Sequence, residues 1–209
     1  PAAAMIDKTM AAFATDGQAR GLGQGHAVLE SFVPTGRPVA QWTPALGEAV
    51  RPEIEAKRVW LTEQYGQARA EHIADAQKNL VIFPNLVIND IMAATVRVIE
   101  PEGPDFMRVT GWALGPSDES AELTAMRLDN FVSFLGPAGF GSPDDIEMLE
   151  ICQKAIEHTP NEWTEISKGL VPCDDLLTGR GAPDSEVHMQ AYWTQWDRVM
   201  RGLETLEMA

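Results

Sequence analysis

The sequence predicts an α+β fold in which an antiparallel sheet has helices packed on one side. Three observations support this prediction. Short runs of β-branched and aromatic residues are concentrated in the first two-thirds of the 209 residues. Helical patterns lie between and after these runs. Strand-like segments at 94–99 and 106–114 follow each other as in a hairpin, which argues against a doubly wound parallel sheet.

Composition limits the classes of function. The net charge of −15 disfavours nucleic acid and anionic membranes as partners. No apolar run approaches the roughly 18–20 residues of a membrane span, and the N-terminus has no secretory pattern. The two cysteines, Cys152 and Cys173, are far apart and form no CxxC pair, so neither a disulfide framework nor a zinc site is expected. A reducing cytoplasm is the expected compartment.

The first half of the chain predicts alternating short elements. Residues 1–16 have a short helical pattern, and the glycine-rich run 21–25 marks a turn. A strand is expected from about His26 to Val33. Three prolines between residues 34 and 50 indicate a loop. A helix is then expected from Pro52 to about Gln77, with proline suited to its first turn.

Residues 79–88 predict the next strand, with a proline at position 84 inside it. Because proline cannot donate a ladder hydrogen bond, a bulge or a sheet edge is expected there. The runs 94–99 and 106–114 flank two prolines and a glycine, which predicts a hairpin with a longer loop.

The last third of the chain is predominantly helical. Helices are predicted for Ser117–Leu135 and for Ser142 to about His158. A further strand is predicted from Glu162 to Leu170. A long amphipathic helix, Asp184–Leu206, is predicted to end the fold.

A helix break followed by two carboxylates is the most informative local feature. One helix ends at Gly136, and the next is expected to start with Ser142 as N-cap and Pro143 at the first position. Asp144 and Asp145 then fall in the first turn, where carboxylates stabilise the helix. The spacing S-x-x-D by itself indicates a capping box.

The same stretch resembles a pattern of Rieske-type aromatic ring-hydroxylating dioxygenase large subunits. Residues 134–145 match F-x-G-P-x-G-F-x-x-x-D-D, and residues 79–85 match the family strand N-L-x-x-F-P-N. Residues 190–196 are similar to the opening of the family's last helix. The order and spacing agree over about residues 20–205, so the resemblance covers nearly the whole chain.

This resemblance implies the helix-grip (START-like) fold, a curved antiparallel sheet wrapped around a long C-terminal helix. It also implies that Asp145 is the carboxylate ligand of a mononuclear Fe(II), while Asp144 caps the helix. By the same resemblance the substrate pocket is lined by Asn79, Val81, Phe131, Leu135 and Phe140. The residue pattern alone allows a second interpretation, in which the apolar four are core residues and Asn79 is a turn residue.

The sequence departs from the family in its metal ligands. The family's D-x-x-H-x-x-x-x-H arrangement is absent, and no two of the four histidines are close together. His26 is expected to be structural or at the pocket edge, His72 to lie on a helix surface and His158 to lie near a helix C-terminus. His188 is expected on the terminal helix. Neither cysteine belongs to a Cys-x-His pair, so a Rieske [2Fe-2S] cluster belongs to the parent protein, not to this chain.

Two explanations fit these departures. Residues 1–209 are either one catalytic domain from a longer large subunit, without its Rieske domain and iron histidines, or a shortened paralogue that binds apolar or aromatic ligands. The first explanation is preferred, since a sequence that opens on Pro1 favours it. The resemblance implies that the parent reaction is cis-dihydroxylation of an aromatic ring by dioxygen. A purely structural domain would instead show no pocket between the terminal helix and the sheet. Because one carboxylate cannot hold ferrous iron tightly, this chain is expected to be inactive.

The resemblance also implies partners. These are an aromatic substrate, dioxygen, a ferredoxin or reductase as electron donor, and a trimeric or hexameric assembly with a small subunit. The detailed sequence pattern is closest to that of large subunits acting on aromatic carboxylates or related monocyclic and bicyclic aromatics. The sequence does not identify the substrate. It does not separate dioxygenation from monooxygenation or demethylation.

Overall fold

The computed structural model describes residues 17–32, 37, 39–91, 93–160, 163–170 and 175–203. The predicted helix at 1–16 and Cys173 lie outside these residues. One antiparallel sheet of seven strands, in the order β6-β5-β4-β3-β2-β1-β7, forms the centre of the described fold. The strands are β1 (Gly17–Gly23), β2 (His26–Phe32), β3 (Ala76–Ile82), β4 (Leu86–Asp90), β5 (Ala94–Pro101), β6 (Met107–Leu114) and β7 (Arg180–Gly181).

Within the described residues, five α-helices accompany the sheet. They are α1 (Arg51–Tyr65), α2 (Gln67–Asp75), α3 (Ala121–Leu135), α4 (Ser142–His158) and α5 (Val187–Met200). Gly66, with φ of 77°, separates α1 from α2, so the single helix predicted for 52–77 is two helices. None of the described helices is long and apolar enough to cross a membrane.

Helix α5 lies on one face of the sheet, which we call the inner face. A Cβ added to Gly21 would lie 3.0 Å from the Cβ of Ala191, so β1 approaches the helix closely. The glycine therefore allows the strand and the helix to pack at short range. This arrangement confirms the predicted α+β fold with its terminal helix held against the sheet.

The outer face carries α2. The ring of His72 packs edge-on against Phe32, and its Nε2 lies 3.2 Å from Glu30 Oε1. Because successive residues of a strand point to opposite faces, Glu30 and Phe32 face away from Leu29, which pairs with β1 beside α5. The element order predicts helices on one side of the sheet only, whereas the described helices lie on both faces.

Two small apolar clusters join the helices. Ala40, Leu61, Ala70 and Ala74 pack between the loop before α1, α1 itself and α2. Val50, Ile54 and Leu123 join α1 to the start of α3. Ser120 caps α3, and its hydroxyl accepts a hydrogen bond from the Leu123 amide at 3.1 Å.

Several predicted boundaries are confirmed and others are wrong. The hairpin β5–β6 and the helix Ser142–His158 lie where the sequence placed them. The strand predicted at 79–88 is two paired strands, because the segment 83–85 forms a turn and not a bulge. The strand predicted at 162–170 is wrong for its described part, since residues 163–170 form no strand. Residues 17–23, which include part of the glycine-rich run, are a strand that the sequence did not indicate.

We expect two glycines of the β1–β2 turn to differ sharply when replaced by alanine. Both have positive φ, 86° at Gly23 and 77° at Gly25. A Cβ at Gly25 would lie 2.6 Å from Gln195 Cβ and 2.9 Å from Phe83 Cδ2, whereas a Cβ at Gly23 would meet nothing within 4 Å. Gly23→Ala should therefore cost only the backbone strain, about 1–2 kcal/mol of unfolding free energy.

Gly25→Ala should cost about 1–3 kcal/mol more than this control, because it also overpacks the contact between the turn and α5. Urea unfolding followed by circular dichroism measures both variants. Equal losses would show that the turn does not press against α5.

Candidate functional site

The turn between α3 and α4 precedes Asp145 and is folded around Phe134. The carbonyl of Phe134 accepts a hydrogen bond from the Gly141 amide at 3.1 Å. The ring centroids of Phe134 and Phe140 lie 4.6 Å apart. A Cβ on Gly139 would lie 2.6 Å from the Phe134 oxygen, so only glycine fits this close approach. The turn thus fixes the position at which α4 begins.

The capping box predicted at this point is wrong. Gly141 is the N-cap of α4 and no side chain caps the helix, so neither Ser142 nor Asp144 has the predicted role. The Ser142 hydroxyl instead donates to the Leu135 carbonyl at 2.8 Å. It therefore links the start of α4 to the end of α3, where an orphan carbonyl needs a donor.

Asp145 lies in the first turn of α4 with an exposed side chain. Its backbone amide donates to Gly141, and its carboxylate has no ion pair or hydrogen bond with a residue that the structure describes. No described residue therefore occupies this carboxylate. The structure does not test its assignment to iron, which stays a prediction.

The sheet register places two predicted pocket residues on the inner face. Paired residues of an antiparallel sheet share a face, so the face of Gly21 can be followed from strand to strand. The first inner row is Gly21, Ala27, Val81, Val87, Arg97 and Gly111. The second inner row is Ala19, Leu29, Asn79, Asn89, Thr95 and Ala113. Val81 and Asn79 are therefore side by side on the face that also carries α5.

Phe131 joins these residues, while the other two lie elsewhere. A Cβ on Gly111 would be 4.0 Å from the Phe131 ring, so α3 brings this ring to the inner face. Leu135 is half-buried at the end of α3. Phe140 is 70% exposed and rests on Phe134. The pocket assignment of all five residues remains a prediction.

The histidines have separate environments. His26 Nδ1 accepts from the Phe83 amide at 2.9 Å, which is a structural role. His72 faces the sheet and not the solvent-facing helix surface that was predicted. His158 is exposed and its Nδ1 lies 2.7 Å from the Lys154 carbonyl near the end of α4. His188 lies on α5, where burial lowers the pKa of its imidazole.

These residues do not by themselves fit a mononuclear iron site. The described part of the chain contains no group of three or more histidine, cysteine, aspartate or glutamate side chains placed to hold one metal ion. A facial site needs two imidazoles beside the carboxylate. Asp145 offers a single carboxylate, so any further ligands must come from outside the described residues.

Sequence reasoning missed Asn89 and Arg97. The Asn89 amide donates to the Asn79 side-chain oxygen across β3 and β4. Arg97 stands in the first inner row beside Gly111, and its Cγ would lie 3.8 Å from a Cβ at that glycine. Their position follows from strand register alone, although the predicted β5–β6 hairpin could have paired Arg97 with Gly111.

Two surface clefts occur elsewhere on the described chain. One, of about 450 Å³, lies along α1 and the start of α2. The other, of about 480 Å³, lies between α5 and the segment 164–170. Neither is lined by any of the five predicted pocket residues, so they are separate from the inner-face site.

The sequence matches the family model described as ring hydroxylating alpha subunit (catalytic domain) over residues 5–202. The chain is 30% identical over 178 residues to the 2-halobenzoate 1,2-dioxygenase large subunit of Burkholderia cepacia, covering 78% of this chain and 38% of that relative. It is 29% identical over 189 residues to the anthranilate 1,2-dioxygenase large subunit of Acinetobacter baylyi, covering 84% and 37%. The chain thus spans less than half the length of these curated relatives.

Among solved structures, naphthalene 1,2-dioxygenase from Rhodococcus sp. bound to indole has a similar fold. The TM-score is 0.67 at 19% identity, and the match covers 93% of this chain and 47% of that one. At this identity the likeness supports the fold of the chain.

Proposed function

Because this chain belongs to the ring-hydroxylating alpha-subunit catalytic-domain family, we propose that it is the catalytic-domain portion of an aromatic ring-hydroxylating dioxygenase large subunit. The observation that carries the proposal is the match over residues 5–202, which includes the Phe134–Asp145 turn and the inner face. The relatives are oxygenase subunits, which favours this function over a ligand carrier. We propose that residues 1–209 form one domain of that subunit.

The proposed metal ligand is Asp145, exposed and without a described partner at the start of α4. Two imidazole donors would have to come from outside the described residues. A mononuclear iron with such ligands supplies dioxygen activation when bound. The Rieske cluster of the proposed parent protein supplies electrons and is likewise outside this chain.

Asn79, Val81 and Phe131 are the proposed walls of the substrate site, because the register and the α3 contact bring them to one face. Val81 and Phe131 offer apolar surface to a flat ring, while the Asn79–Asn89 pair offers polar groups. Leu135 and Phe140 are proposed to extend the site toward Asp145, which their positions in the same turn support.

The proposed substrate is an aromatic carboxylate. The relatives are named for 2-halobenzoate, anthranilate, toluate and salicylate, all aromatic acids. The proposed reaction is cis-dihydroxylation, with a ferredoxin or reductase as electron donor. A trimeric assembly of large subunits, with or without small subunits, and a cytoplasmic location complete the proposal.

A chimera tests the proposed reaction. Residues 5–202 replace the corresponding part of the Burkholderia cepacia 2-halobenzoate dioxygenase large subunit, expressed with the other components of that enzyme. We expect benzoate to be converted under ¹⁸O₂ to a product with two labelled oxygen atoms. One labelled atom would assign monooxygenation. No oxygenated product from a folded, iron-loaded chimera would contradict the proposal.

A further inference from the structure

Arg97 is a cation on the inner face that has no partner among the described residues. The arginines are all within the described residues, and the partly or fully buried ones generally bind carboxylates, for example Arg20 with Glu30 at 2.8 Å and Arg58 with Asp75 at 2.7 Å. Arg97 is half-buried, yet it forms no hydrogen bond or ion pair with any described residue. A partly buried charge without a partner is costly, so this position favours an anion that binds there.

The surroundings of Arg97 limit the kind of anion that can bind there. The two inner rows contain no carboxylate, and the neighbour of Arg97 across β4 is Val87. The Phe131 ring and the Arg97 side chain flank Gly111, at 4.0 and 3.8 Å from a Cβ placed on that glycine. Gly111 has no side chain, and Val109 two residues earlier on β6 is 49% exposed, so this corner of the inner face is accessible from solvent.

We propose that Arg97 binds the carboxylate of the aromatic substrate while Phe131 packs against its ring; this inference rests on the proposed function. The guanidinium presents two parallel N–H donors that match a carboxylate, and the adjacent aromatic ring provides an apolar contact. Arg97 is thereby a specificity-determining residue, which distinguishes aromatic acids from neutral aromatics of the same shape.

Calorimetric titration of the purified 209-residue chain with benzoate and benzamide tests this. Benzamide has the same shape without the charge. We expect benzoate to bind at least about tenfold more tightly, the size expected for one charge-assisted contact. Arg97→Gln should abolish the difference, and Arg97→Lys should keep part of it. Arg180→Gln, which removes an exposed arginine without a described partner on β7, should keep all of it.

Circular dichroism verifies that the variants are folded. The inference is overturned if the wild-type chain binds the two probes equally, binds neither, or keeps its preference in Arg97→Gln. The proposed function is tested separately, by iron binding at Asp145. Arg97→Gln should leave the iron content of the chimera unchanged. A loss of benzoate preference with normal iron therefore concerns Arg97 alone.

Discussion

Arg37→Ala is expected to lower the free energy of unfolding by about 3–5 kcal/mol, the cost of breaking a buried ion pair from one side. Arg37 is 1% exposed. Its guanidinium donates to the carbonyls of Ile73 and Ala74 at 2.6 and 2.7 Å and binds the carboxylate of Asp90. The residue thus joins the last turn of α2 to the end of β4.

Three losses add up in this variant. The last-turn carbonyls of α2 lose a cationic donor, which helix C-termini favour. The Asp90 carboxylate is left without its partner, and the removed side chain leaves a cavity. Burial lowers the pKa of the Arg37 guanidinium, and the nearby Asp90 carboxylate opposes this effect.

Urea unfolding at neutral pH measures the loss. Arg108→Ala is the matched control, because the Arg108–Glu102 pair is exposed (64% and 40% for the two side chains) and should contribute about 0–1 kcal/mol. If Arg37→Ala lowers the free energy of unfolding no more than Arg108→Ala does, Arg37 does not stabilise the packing of α2 on the outer face.

The fold could be predicted wherever local chemistry determined the structure. The helix Ser142–His158 followed from a glycine-rich break, a proline and two first-turn carboxylates. The hairpin β5–β6 followed from two β-branched runs around a proline-rich loop. In both cases the determining residues are neighbours in the sequence.

Elements that depend on distant contacts were missed. The strand Gly17–Gly23 has glycines that indicate a turn, but its structure comes from pairing with β2 and from the contact of Gly21 with Ala191. The proline at position 84 predicts a bulge or a sheet edge, but it lies in the turn that separates β3 from β4. Ser142 was predicted to cap α4, but it bonds to the preceding helix.

In the candidate site, too, contacts between distant residues could not be predicted from local sequence. Asn79, Val81 and Phe131 are predicted from a resemblance, and their common face follows only from the register of strands β3 to β6 and the position of α3. Arg97 has no local signal, because an arginine between valines in a strand is ordinary. Its proposed role follows from the three-dimensional structure, in which no described residue forms a hydrogen bond or an ion pair with it.

Iron content per chain tests the central claim that Asp145 is a metal ligand whose imidazole partners lie outside the described residues. The 209-residue chain alone is expected to retain no stoichiometric iron, since one carboxylate holds ferrous iron weakly. The chimera should hold about one mononuclear iron per chain in addition to its Rieske iron, as such a site requires three protein ligands. Asp145→Ala should remove the mononuclear iron.

The neighbouring Asp144→Ala is the matched control, because both carboxylates are exposed in the first turn of α4 and differ only in position. Elemental analysis, with the Rieske contribution measured from its absorption, gives the mononuclear iron in each variant. The account predicts loss in Asp145→Ala and retention in Asp144→Ala. Full mononuclear iron in Asp145→Ala, or equal loss in both variants, would contradict it.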